Sequence, residues 1–127
     1  MKVLIVEDDG DMRRLLKIVL AGLDVETEEA PDGESAIHSL ETSSEPDLVL
    51  LDLHLPYTSG EEVFDAIRKH SKSAIVIVTA DILAAPEFVS KADGVFTKPF
   101  KTNELIIKLT SLLAAHKKDI QGEQKWP

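Results

Sequence analysis

Asp8, Asp9, Asp52, Thr79 and Lys98 are spread along a chain of 127 residues, yet each closely follows an apolar run of strand length. Carboxylates gathered in one crevice repel each other and raise each other's pKa values unless a cation compensates. An all-oxygen set suits a hard divalent ion, Mg2+ or Mn2+, and Mg2+ combines one or two carboxylates with phosphate oxygens. Beside such a charge an aspartate can attack phosphorus as a nucleophile. A hydroxyl and an ammonium then suit the phosphoryl oxygens, where positioning and charge neutralisation supply most of the rate.

For that chemistry the chain must bring distant residues to one place, and its apolar pattern predicts how. Leu48–Leu51 is an unbroken apolar run, as expected of a parallel strand covered on both faces. It stops at Asp52, and Pro56 and Gly60 mark a loop before the next helix. Lys2–Val6, residues 74–78 and Gly94–Thr97 read as further strands, ending near Asp8, Thr79 and Lys98. Residues 25–29 alternate weakly and predict an acidic edge strand, which discourages pairing with another chain.

Helical patterns fill the intervals. Asp9 or Asp11 can cap a helix carrying Met12, Leu15, Leu16, Val19 and Leu20 on one face, and Ala36, Ile37 and Leu40 stripe a second. Ser59 followed by Glu62 has the spacing of a capping box before Val63, Ala66 and Ile67. Residues 81–92 predict a short fourth helix, with Pro86 tolerated only near its start. Leu105, Ile106, Leu109, Leu112 and Leu113 predict a fifth, and its pattern is lost beyond Lys117. Five strands alternating with five helices predict an α/β doubly wound parallel sheet, whose ligands collect at the carboxyl ends of the strands. Residues 1–118 are expected to be one domain and 119–127 a flexible tail.

Composition excludes several alternatives. The chain has no cysteine, so disulfides and thiolate chemistry are absent, which accords with a reducing cytoplasm. A net charge of −9 argues against direct nucleic-acid binding, since duplex affinity rests on Lys and Arg at the phosphates. No apolar window predicts a signal peptide or membrane insertion. His38, His54, His70 and His116 lack ligand spacing, so an imidazole metal site is not expected. Glu7 reads as a neighbour of the pocket rather than a metal ligand.

Taken together, Val-Glu-Asp-Asp at 6–9, Asp52 with Pro56 and Gly60, Val-Thr-Ala at 78–80 and Lys-Pro-Phe at 98–100 resemble the receiver domain of two-component response regulators. The resemblance runs from the first strand to the last helix. It implies a flavodoxin-like fold with strand order 2-1-3-4-5, and a cytoplasmic signalling domain rather than an enzyme with an external substrate. It also implies Asp52 as phosphoacceptor, Asp8 and Asp9 as metal-binding acids, and Thr79 and Lys98 as the switch hydroxyl and the phosphate-contacting lysine. The backbone carbonyl of His54 would complete the metal shell, and the bond from Lys98 to Pro99 would be cis. Implied partners are a sensor histidine kinase or histidine phosphotransfer protein and a downstream effector, with the domain monomeric or dimerising on phosphorylation.

Two features depart from the family pattern. Val95 stands where an aromatic switch residue is usual, with Phe96 beside it, and the segment 79–98 is short, which trims the fourth helix or its loop. Both fall on the surface made by that helix, the fifth strand and the fifth helix, through which the family passes its signal. Two other functions use similar residues. A haloacid-dehalogenase-type phosphohydrolase would place a second acid where this chain has His54, and turnover of a small phosphoester would reveal one. A receiver-like interaction module would work without phosphorylation and bind no Mg2+.

Overall fold

The computed structural model describes residues 1–124, with side chains through Lys118. Five strands form one parallel sheet: β1 (Lys2–Val6), β2 (Glu26–Ala30), β3 (Leu48–Leu51), β4 (Ala74–Thr79) and β5 (Gly94–Thr97). Their order across the sheet is 2-1-3-4-5, and every neighbouring pair is parallel. β2, the strand with the weakest apolar pattern, lies at one edge. The helices are α1 (Gly10–Leu20), α2 (Gly33–Thr42), α3 (Gly60–His70) and α4 (Thr102–Gln124).

Although the central strands are apolar at all but Lys2 and Thr79, their side chains alternate between two cores, as a period of two requires. Val3 and Ile5, Leu48 and Leu50, and Val76 and Val78 pack with Leu16, Val19 and Leu20 of α1 and Leu105, Leu109 and Leu113 of α4. Leu4 and Val6, Val49 and Leu51, and Ile75 and Ile77 face the other way, onto Ala36 of α2, Val63, Phe64 and Ile67 of α3, and Phe88. Burying each such side chain contributes about 1.5–3 kcal/mol, so the sheet's position between its two helix layers is strongly set.

Caps place the helix starts. Asp9, Asp32 and Ser59 accept hydrogen bonds from the backbone N–H groups of Asp11, Ser35 and Glu62, so α1, α2 and α3 each begin where a strand-to-helix loop ends. Gly60 is needed at the start of α3, because a Cβ there would lie 2.7 Å from the carbonyl oxygen of Leu53. Such close backbone approach leaves no room for a side chain.

Between β4 and β5 the expected fourth helix is replaced by a single 3-10 turn at Ala85–Phe88. Asp81 accepts hydrogen bonds from the N–H groups of Leu83 and Ala84 and ties the chain into a turn, and Pro86 offers no N–H to extend it backwards. Among the described residues the fold therefore has four α-helices rather than five. At the other end, α4 continues to Gln124, into the stretch expected to be a tail. Glutamine and glutamate have good helix propensity and sustain a helix there without an apolar stripe; residues 125–127 lie outside the described residues.

Candidate functional site at the carboxyl edge of the sheet

Three backbone hydrogen bonds carry the sheet's pairing one residue past the regular strands. Asp52 N–H donates to the Val6 carbonyl at 3.0 Å, Glu7 N–H to that of Ala30 at 3.1 Å, and Lys98 N–H to that of Thr79 at 2.8 Å. The parallel register thereby sets Glu7, Asp52, Thr79 and Lys98 side by side at one edge. Asp52, Glu7 and Thr79 are buried although polar, at 5%, 2% and 0% exposure, so each needs a partner.

Those partners are one another. The Lys98 ammonium bonds Glu7 and lies 3.3 Å from Asp52 Oδ2, while the His54 N–H donates to Asp52 Oδ1 at 3.0 Å. Thr79 Oγ1 accepts from the Asp81 N–H at 3.1 Å. Carboxylate oxygens of Glu7, Asp8 and Asp52 lie within 4.8 Å of one another. Arg13, reaching back from α1, holds the loop they share by donating to the carbonyls of Glu7 at 2.8 Å and Asp8 at 3.0 Å.

Electrostatics separates the two buried acids. Burial, then the hydrogen bond shared with Asp52, pushes Glu7 up to about 7, against the pull of Lys98. Burial also opposes ionisation of Asp52, but hydrogen bonds from Glu7, the His54 N–H and Thr79, with Lys98 beside them, hold it below the usual carboxylate range. Lys98 loses solvation, yet Glu7 and Asp52 raise its pKa above the ordinary lysine value. Three acids thus share one ammonium, and burial, with Asp52 beside it, leaves Glu7 the harder of the two buried acids to ionise. The donor set fits a hard divalent cation.

The sequence expectation placed Asp8 and Asp9 together with Asp52. Asp8 is there, but Asp9 is exposed and its carboxylate caps α1 at 3.0 Å from the Asp11 N–H. Glu7 takes the position expected of Asp9, because the chain turns into α1 immediately after Asp8. Its burial at the end of an apolar strand was the available signal; Arg13 gave none. His54 contributes backbone to Asp52 and exposes its side chain, and the Lys98–Pro99 bond is cis. Val95 packs against the α2 and α3 side of the sheet and Phe96 against the α1 and α4 side, so the aromatic ring lies on the opposite face from the usual switch position.

Fold and site define a flavodoxin-like doubly wound domain with an acidic, cation-fitting pocket at its carboxyl edge. The chain belongs to the response regulator receiver domain family, whose model matches residues 3–110. It is 34% identical over 115 residues to the transcriptional regulatory protein SrrA of Staphylococcus aureus, an alignment covering 88% of this chain and 47% of that one. The chain thus spans about half the length of the curated relatives it matches. Among solved structures, the receiver domain of a LuxO repressor protein from Vibrio parahaemolyticus superposes with a TM-score of 0.87 at 28% identity, covering 96% of each chain. The response regulator TrrA of Thermotoga maritima, solved in complex with Mg(2+)-BeF, superposes with a TM-score of 0.75 at 33% identity, over 87% of this chain and 97% of that one. Among the described residues no helix is long and apolar enough to cross a membrane.

Proposed function

We propose that this receiver domain takes a phosphoryl group from a phosphohistidine partner onto Asp52. The observation that carries the reading is the pairing of buried, ionised Asp52 with Lys98 at 3.3 Å, inside a cluster of acids that one ammonium cannot neutralise. A carboxylate with a lowered pKa remains ionised at neutral pH and is therefore available for attack. Its oxygen forms the bond to phosphorus as the bond to the imidazole nitrogen breaks, and that nitrogen keeps the electron pair. Lys98 faces the oxygens of the transferred group, and the Thr79 hydroxyl sits beside it.

Glu7, Asp8 and Asp52, with the His54 carbonyl, would hold Mg2+; when bound, it withdraws charge from the phosphoryl oxygens and offsets that of the acids. Asp9, assigned to this shell by motif alone, is left as a helix cap. The new phosphate adds nearly two negative charges at the ends of β3 and β4. Because Thr79 also accepts the Asp81 N–H, a hydroxyl drawn toward the phosphate would change the hold on the turn at 81–85, biasing a two-state equilibrium of the β4–β5 connection and β5 that an effector reads. A sensor histidine kinase or phosphotransfer protein is the donor this chemistry calls for.

Incubation with Mg2+ and acetyl phosphate, followed by intact mass, tests the acceptor. The wild type should gain one phosphoryl group and Asp52→Asn none. Equal labelling of the two would overturn the assignment.

A further inference from the structure

We propose that Tyr57, with Ile82 and Leu83, forms the apolar anchor on which the phosphohistidine-bearing donor protein docks, a reading that rests on Asp52 being the phosphoacceptor. Tyr57 is held in a backbone conformation that tyrosine disfavours. Its φ is 67°, and the Thr58 N–H donates to the Pro56 carbonyl at 2.8 Å, which closes a tight turn of the rare positive-φ kind around Tyr57. Such a position suits glycine, and a bulky side chain there stores strain. The ring is fully exposed, so its packing against the described residues does not offset that strain.

Ile82 and Leu83, 66% and 90% exposed, stand in the turn after β4, the strand beside β3. The loops carrying these side chains leave the same sheet edge as Asp52. Since Asp52 is buried and an imidazole is short, a protein delivering its phosphoryl group must press closely against that edge. Exposed Asp8, Asp9, Asp11, Glu61 and Glu62 lie on the loops and helix starts around it. The partner surface that fits is an apolar patch beside the phosphohistidine, rimmed by Lys or Arg. An exposed aromatic ring, with aliphatic side chains exposed on the neighbouring loop, is the kind of anchor that carries much of the energy of such contacts.

The experiment compares two donors on the full chain. Acetyl phosphate touches none of these side chains, whereas transfer from autophosphorylated histidine kinases requires docking; a set of purified kinases is screened and the one that labels wild type fastest is used. Tyr57→Ser and Leu83→Asp should each lower kcat/KM from the kinase about tenfold or more and leave labelling by acetyl phosphate within twofold. Tyr57→Gly should melt a few degrees higher than wild type and still lose kinase transfer, separating the strain from the contact. Wild-type rates from the kinase in all three variants would overturn the proposal. So would a wild-type dimer that Tyr57→Ser or Leu83→Asp dissociates with kinase transfer unchanged, since the patch would then serve a second copy. Failure of acetyl phosphate to label even the wild type would instead reject the phosphoacceptor reading beneath it.

Discussion

Replacing Glu7 by glutamine keeps its size and removes one of the three acids that the pocket gathers around one lysine. If Glu7 helps hold the cation, Glu7→Gln should weaken Mg2+ binding at least tenfold in a titration monitored by calorimetry. Asp9→Asn should leave it within about twofold, since Asp9 bonds the start of α1 instead. The reverse ranking would restore Asp9 to the metal shell. Asp9→Ala carries its own signature: loss of an N-cap costs about 1 kcal/mol, readable in denaturant unfolding, with labelling of Asp52 retained.

At the scale of elements, the loop from β3 to α3 is held by close backbone contact. Gly60→Ala would set a methyl group 2.7 Å from the Leu53 carbonyl oxygen, in the loop that begins at Asp52. Unfolding stability should fall by about 2 kcal/mol or more, and acetyl phosphate labelling should slow as Leu53 shifts. The edge strand β2 is tied differently. Glu28 takes Lys2 Nζ at 2.6 Å and Ser39 Oγ at 2.7 Å, and these bonds, Lys2 first, hold its carboxylate below the ordinary 4.5. A depressed folded pKa gives stability that is present above the unfolded pKa and lost as pH falls through the folded one. Wild type should therefore melt above Glu28→Gln at pH 6, by the equivalent of less than about 1 kcal/mol for a pair only partly shielded from solvent, and the gap should close on acidification below 4.5. A gap that widens in acid would contradict the assignment.

Across the whole molecule, the two cores fix the sheet, and the sheet's carboxyl edge holds charges that the fold itself leaves unbalanced. A cation that binds only the folded state stabilises it by mass action, about 2.7 kcal/mol when its concentration is 100 times Kd. Mg2+ should thus raise the melting temperature of the wild type, and Asp8→Asn should abolish most of that rise. Equal shifts in both would place the ion elsewhere.

The chain alone determined the alternation of strands and helices, because apolar runs of strand length and caps such as Ser59 and Asp32 are local signals. It also singled out Asp52, Thr79 and Lys98, since each ends or follows such a run. Strand order came from a resemblance rather than from periodicity, as no local pattern states which strands pair. The fourth helix failed because residues 85–92 have helical spacing, whereas the side-chain bonds of Asp81 and the ring of Pro86 favour a turn. Only the tertiary structure put Glu7 in the acidic cluster and Asp9 at the start of α1: one or two residues' difference at the end of β1 decides between a buried pocket and an exposed helix cap. The exact point where backbone leaves the sheet is set by hydrogen bonds to β2 and β3, long-range contacts that adjacent acidic residues in a sequence do not reveal.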